Sequence, residues 1–343
     1  MKKIKQILKY IGIVISLLIV ILLFFPTWTP TIKGKNSVNI LEKVEINGTK
    51  QQIMIRGQDK SNPILIFVHG GPGCSEIPYV TKYQDLLEKD FTVVHYDQRG
   101  SGKSYHFFED YSNLSSKLLV SDLLAITDYI SERFDKKKVV LIGHSFGTYI
   151  ALQAANKAPN KYLAYIGIGQ MSNTVNSELD SLNYCLKQAE NAGNMDDVSK
   201  LKGLSNKIEQ GESLTPRDYV RKYGGASRLI DDNYDYLEGF LFNPEYNLFD
   251  AIRYLRGVNI SQKALLDESI TNPLPTLVKN LEIPCYFIMG KYDYMTSSQS
   301  AKTYFDSIAA DKKEYILYSN SAHYPQFEEK ERFAKWLTNT FAK

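Results

Sequence analysis

Val139-Val140-Leu141-Ile142-Gly143-His144-Ser145-Phe146-Gly147-Thr148 is a short apolar run that breaks into Gly-x-Ser-x-Gly and continues as an alanine-rich helical pattern, Tyr149-Ile150-Ala151-Leu152-Gln153-Ala154-Ala155. A serine on a tight strand-to-helix turn has its hydroxyl exposed and its backbone strained, so its neighbours at minus two and plus two must lack a Cβ. Gly143 and Gly147 meet that demand. The first amides and the dipole of the following helix favour negative charge developing beside Ser145. The stretch reads as a strand, a turn that presents a nucleophilic serine, and a helix.

The same alternation extends on both sides. Ile64-Leu65-Ile66-Phe67-Val68 and Thr92-Val93-Val94-His95-Tyr96 are unbroken apolar runs, as expected of strands buried on both faces of a sheet. The first ends in His69-Gly70-Gly71-Pro72-Gly73, the second in Asp97-Gln98-Arg99-Gly100-Ser101-Gly102-Lys103-Ser104. Upstream, strand patterns over 38–46 and 51–55 are joined by Asn47-Gly48, a strong short-range hairpin signal. Strands are also predicted over 162–168, 284–289 and 314–318, and helices over 79–88, 118–134, 298–308 and 325–341. From Gln170 to about Asn280 the text is polar and helical, with breakers at Pro216 and Pro244. The fold class expected is α/β: a mostly parallel, doubly wound sheet with right-handed crossovers and a helical cap insertion. Its divisions are 1–29 for a tail and membrane anchor, 30–169 with 281–343 for the core, and 170–280 for the cap.

Residues 10–25 are almost wholly aliphatic, and with Ile7 and Leu8 they approach the ~20 residues that span a bilayer, with Lys9 snorkelling to the interface. Pro26-Thr27-Trp28-Thr29-Pro30 follows, with an interfacial tryptophan and no small-x-small cleavage pattern. A retained single-pass anchor in the cell membrane is therefore expected rather than a removed signal, whose removal would give a secreted protein. Lysines precede the segment, which places the rest of the chain on the outer face. Without Lys2, Lys3, Lys5 and Lys9 the chain carries 37 basic and 38 acidic residues, a balance that offers no footprint for nucleic acid. Cys74, Cys185 and Cys285 cannot all pair and read as small buried or half-buried side chains, Cys285 in the core.

A serine hydroxyl needs a base, and the base needs a group that holds its tautomer. His69 and His144 lie inside glycine motifs and read as ligands of loop backbone, while His95 and His106 read as structural. His323 follows the last strand in Ser319-Asn320-Ser321-Ala322-His323, and Asp293 follows the strand before it. Both belong at the C-terminal edge of a parallel sheet, where such enzymes keep catalytic groups. The expected catalytic set is Ser145, Asp293 and His323. The amide of Phe146 and one from the glycine-rich loop, Gly71 with Gly70 next, would form the oxyanion hole. This chemistry calls for no cofactor and no metal.

HGGPG at 69–73, DQRGSGKS at 97–104, GHSFG at 143–147, Asp293 and His323 together resemble the proline iminopeptidase branch of the α/β-hydrolase superfamily, from Val38 to the C-terminus. The resemblance implies a serine exopeptidase that removes an N-terminal residue, often proline, from peptides. Two departures stand out. The elbow has His144 and Phe146 where that branch usually reads Gly-Gly-Ser-Trp-Gly, and the cap lacks the tryptophan of the usual amine-binding motif, since the only tryptophans are Trp28 and Trp336. Among the cap carboxylates Glu178, Glu190, Glu238 and Glu245, Glu178 follows the strand over 162–168 by a short loop and is the candidate partner for a substrate ammonium. A carboxylesterase or lipase-like enzyme with the same triad is the second reading, and a non-enzymatic binding domain on this fold the third. Ser145 excludes the dehalogenases and epoxide hydrolases, which use an aspartate nucleophile, and no phosphate-binding loop is present.

Overall fold

The computed structural model describes residues 2–342. The helix α1 (Lys2–Phe24) is followed by a hairpin of β1 (Val38–Ile46) and β2 (Thr49–Gly57), whose turn residues Asn47 (φ 47°) and Gly48 (φ 79°) both adopt the left-handed conformation. That pair matches the right-handed twist of the two strands. Then come β3 (Ile64–Val68), α2 (Leu87–Asp90), β4 (Thr92–Tyr96), α3 (Ser116–Phe134), β5 (Val139–His144), α4 (Phe146–Lys157) and β6 (Tyr162–Ile168). Seven helices follow: α5 (Thr174–Asn191), α6 (Met195–Lys202), α7 (Ser205–Glu209), α8 (Arg217–Lys222), α9 (Asp232–Phe242), α10 (Leu248–Thr271) and α11 (Leu274–Leu277). The chain closes with β7 (Asn280–Leu281), β8 (Cys285–Gly290), α12 (Ser298–Ser307), β9 (Ala309–Ala310), β10 (Lys313–Tyr318), α13 (Pro325–Glu328) and α14 (Lys330–Phe341).

Eight strands form one sheet in the order β1-β2-β4-β3-β5-β6-β8-β10, in which β1 and β2 are antiparallel and every pairing from β4 to β10 is parallel. Strands β3, β4, β5 and β8 are buried along their whole length, the state their unbroken apolar runs call for. The strand order reverses around β3, so the loops after β3 and β5 leave side by side at the C-terminal edge, where open α/β sheets bind ligands. The short pair β7 and β9 has no counterpart in the sequence reading.

Two expected helices are broken. Over 79–88 there is only a 3₁₀ turn and the short α2, and Tyr79 and Val80 are buried in one cluster with Tyr254 and Phe327. The helix expected over 325–341 divides at Glu329, whose carboxylate turns back to accept from Ser321 Oγ at 2.8 Å. All three cysteines are free; Cys185 and Cys285 are buried and Cys74 is half-buried.

The helices between β6 and β8 have a small core of their own around Leu182, Cys185, Leu201 and Val220. They are tied to the sheet edge by backbone: His323 N–H donates to Ala226 O (2.9 Å) and Tyr294 N–H to Gly225 O (2.9 Å). Stacking of Tyr184 on Tyr294, with ring centroids 3.8 Å apart, reinforces the join.

A Cβ at Gly147 would collide with the carbonyl of Val68, since α4 crosses β3 at backbone contact there. Gly147→Ala should therefore destabilise the fold by about 1–3 kcal/mol. Gly203→Ala, where the nearest atom is 3.8 Å away, should stay within ~0.5 kcal/mol of the parent. Equal denaturant midpoints for the two variants would contradict this account of the turn.

Candidate active site

Ser145 occupies the turn between β5 and α4 with φ 54° and ψ −125°, a conformation that L-residues adopt only when their surroundings impose it. The surroundings do so. Its N–H donates to Ile168 O at 2.9 Å, and its carbonyl accepts from Thr148 N (2.9 Å) and Thr148 Oγ1 (2.6 Å). The neighbouring glycines permit the approach: a Cβ at Gly143 would lie 2.8 Å from the Gly147 carbonyl. The Ser145 side chain makes no capping bond to α4, so its hydroxyl is left for other work.

His323 lies in the loop after β10, and its Nδ1 is 2.9 Å from Asp293 Oδ2. The Asp293 carboxylate is itself held by the amides of Met295 and Thr296, both at 2.9 Å, and by Thr296 Oγ1 at 3.0 Å. An aspartate that accepts from Nδ1–H leaves Nε2 as the basic nitrogen of the ring. Burial lowers the pKa of His323 from 6.5; Asp293 pulls it upward, and His144 adds to the lowering.

Ser145, His323, Gly70 and Gly71 line one cavity of about 640 Å³, bounded on its far side by Tyr236, Phe240 and Leu255. A recess of about 70 Å³ opens from it between Gly71, Ser145, Phe146 and Met171. Gly70 approaches so closely that a Cβ there would stand 2.8 Å from Ser145 Cβ. Gly71 has φ +119°, and its Cβ would meet the Cys74 amide. The Phe146 amide belongs to the first turn of α4, whose N–H groups have no partner within the helix. Two amides flanking a serine in this way suit an oxygen that gains negative charge.

A profile of the α/β-hydrolase fold family matches residues 63–330. The chain belongs to that family. This hydrolase is 33% identical over 310 residues to a probable aminopeptidase, YbaC, of Bacillus subtilis, covering 90% of this chain and 98% of that one. It is 24% identical over 288 residues to a proline iminopeptidase of Saccharolobus solfataricus, covering 80% and 83%. The crystal structure of a proline iminopeptidase from Mycobacterium smegmatis superposes with a TM-score of 0.65 at 14% identity, covering 88% of this hydrolase and 97% of that chain. The protein is thus an α/β hydrolase of aminopeptidase-like kind.

Glu178 is not the free carboxylate that the sequence suggested. It is buried beside the recess, but Arg217 binds both of its oxygens and the Thr215 amide donates to Oε2 at 2.8 Å. An arginine 39 residues further along the chain was invisible to a reading that looked for acids alone. His144 binds loop backbone as expected, its Nε2 facing the His323 carbonyl at 3.0 Å, but its Nδ1 also faces a carboxylate, Glu76 Oε1, at 2.6 Å. Both ring nitrogens face acceptors, so both carry hydrogen and the ring is an imidazolium. Burial opposes that charge, yet the Glu76 carboxylate outweighs it and the pKa of His144 is raised. His69 does bind loop backbone, with Nδ1 3.0 Å from Gly70 O and Nε2 accepting from the Gln98 amide. Gly169 (φ +53°) was also missed: a Cβ there would lie 2.9 Å from His323 Nδ1. Its place at the end of β6 was the available signal.

A base must be neutral to accept a proton, and the lowered pKa keeps His323 neutral at lower pH than an ordinary imidazole. The rate constant kcat/KM should therefore rise with pH through a midpoint below 6.5. The His144 imidazolium ring lies 4.9 Å from the His323 ring and disfavours a second positive charge. His144→Asn should accordingly move that midpoint upward by at least about half a unit. A pH profile whose midpoint stays in place would remove His144 from this role.

Proposed function

We propose that this hydrolase is a serine aminopeptidase held at the cell membrane by α1. The observation that carries the reading is His323, bonded to Asp293 and lining the same cavity as a serine hydroxyl that its own helix does not use. In the reaction, Ser145 Oγ attacks the substrate carbonyl while His323 Nε2 takes its proton. Asp293 keeps the ring oriented, and the amides of Gly71 and Phe146 hold the oxyanion. His323 then protonates the departing amine, the acyl group remains on Ser145, and water, deprotonated by the same histidine, releases it.

An aminopeptidase also needs an anion for the ammonium of its substrate, because a buried charge without a partner costs several kcal/mol. Glu76 takes the place that Glu178 cannot. It lines the cavity with Ser145 and His323, and its hydrogen bond from His144 goes to Oε1 alone, which leaves Oε2 for a substrate cation. The carboxylate comes from the loop after β3 rather than from the cap. An esterase reading has one observation in its favour, the apolar lining that Phe240, Leu255 and Leu266 give the cavity.

Ser145→Ala and His323→Ala should each lower turnover by ~10⁴–10⁶, with the double variant scarcely worse, because the two side chains act as one unit. Additive losses would refute the assignment. Glu76→Gln should raise KM for aminoacyl amides by about tenfold more than for a short neutral ester. Equal changes on the two substrates would confine Glu76 to holding His144, and a wild type active only on the ester would favour the esterase.

Helix α1 is long and apolar enough to cross a bilayer, with a mean hydropathy of 2.8 over its most apolar window and none of that window buried against the body. As a retained anchor it should keep the protein in membranes through an alkaline carbonate wash, while external protease reaches the catalytic domain. A shortened soluble form in the medium would show that it is a cleaved signal.

A further inference from the structure

The chain does not leave α1 loosely. Residues 25–30 lie along the body as a strap: Trp28 N–H donates to Pro244 O (3.0 Å), Asn247 Nδ2 to Phe25 O (2.9 Å), and Thr29 Oγ1 to Glu245 Oε1 (2.7 Å). Lys103 Nζ donates to Thr27 Oγ1 at 2.6 Å, and Arg56 Nη1 to Pro30 O at 2.8 Å. The last turn of α1 rests on α10, with the rings of Phe24 and Phe249 5.3 Å apart. The apolar helix thus departs from one defined place, the start of α10 and the connection that precedes it.

Large apolar side chains stand exposed around that place. Leu241 and Phe242, the latter 78% exposed, end α9 within three residues of the Pro244 carbonyl that holds the strap. Ile252 and Leu255 are exposed on α10, and Phe108 is fully exposed beside Phe107, whose ring meets Phe249 at 5.3 Å. Scattered apolar residues on a surface need no explanation, but a cluster does. This cluster surrounds the exit of the proposed anchor, and the exposed Arg256 on the same helix supplies a cation that lipid phosphates attract, whereas Arg253 is paired with Asp250. Leu255 belongs to two surfaces at once. It is 66% exposed, and it lines the cavity of Ser145 together with Phe240 of α9.

We propose that the exposed apolar face of α9 and α10 seats in the outer lipid leaflet, so that the catalytic cavity opens at the membrane and takes amphiphilic substrates from it. The substrate class is an aminoacyl or acyl group joined by an amide or ester bond to a hydrocarbon chain. The inference rests on α1 being a retained anchor. A tether whose exit is strapped to this face cannot let the face drift far from the bilayer, and burying the cluster in lipid removes it from water.

The test uses full-length protein in phospholipid vesicles with brominated acyl chains. A Phe242→Trp variant places a reporter on the face, and the parent protein corrects for Trp28 and Trp336. The added emission should be quenched by about half or more, as for a side chain at acyl-chain depth. Protein released by carbonate refutes the anchor, whereas protein that resists carbonate with unquenched emission refutes the docking alone. The joint variant Leu241→Glu with Phe242→Glu should lose about tenfold in turnover of an aminoacyl long-chain alkylamide in vesicles and keep its rate on the soluble short-chain amide. Unchanged turnover of the long-chain substrate overturns the proposal. Conversion of a wild-type dimer to a monomer by the joint variant would assign the face to a second copy and overturn it likewise. Quenching is read without turnover, so it decides even if neither substrate is cleaved.

Discussion

Ser145 is held in a left-handed backbone conformation that costs roughly 1–3 kcal/mol, and the centre of the fold is arranged to impose it. Strand β5 must end within bonding distance of β6, since the Ser145 amide donates to Ile168. Helix α4 must lie so close to β3 that Gly147 touches the Val68 backbone, and the loop after β3 must press Gly70 against the serine. The last two of these contacts are possible only because Gly147 and Gly70 lack a Cβ. The turn is thus a fixed point from which the serine, the first amides of α4 and the glycine loop take their relative positions. The buried strands around it supply the packing that keeps the strain from relaxing.

A second centre lies at His144, next to the serine in sequence. Its imidazolium joins the loop after β3, through Glu76, to the loop after β10, through the His323 carbonyl. The amide of His323 in turn donates to Ala226, among the helices above the sheet, and Glu328 accepts from the amides of Ala322 and Leu229. The charge of the pair is buried and mutually compensated, an arrangement more useful for fixing geometry than for raising stability. Loops from three separate parts of the chain are thereby brought to one place, and a charge is set beside the His323 ring.

Much of the architecture could be read in the text. Strands β3, β4 and β6 fall where their apolar runs predicted, Asn47-Gly48 turns the hairpin, and the glycines at 143 and 147 announced a close approach that the structure contains. These are local matters: β-branched and aliphatic runs bury as strands, and a residue without a Cβ marks a backbone that comes too near for one. The placement of Ser145, His323 and Asp293 at one edge of the sheet was legible for the same reason, because each sits just beyond a strand whose end the pattern marks.

What the text could not reveal concerns pairings between distant residues. Whether a glutamate is free or taken depends on an arginine that folding brings to it, as Arg217 comes to Glu178, and no spacing encodes that meeting. The doubly bonded state of His144 depends on acceptors from residues 76 and 323, and the tight fit of Gly169 on the His323 ring joins the ends of two strands. The apolar segment at the N-terminus was plain from composition, but the face of the body that lies beside its exit was decided by the strap against residues 244–247. Sequence by itself determines which segments must be buried and where the backbone needs glycine, since hydrophobicity and the absence of a Cβ are properties of single residues. Tertiary structure alone decides which charges neutralise one another and which surface lies beside the apolar helix, since an interaction energy depends on the distance between two groups and that distance exists only in the folded chain.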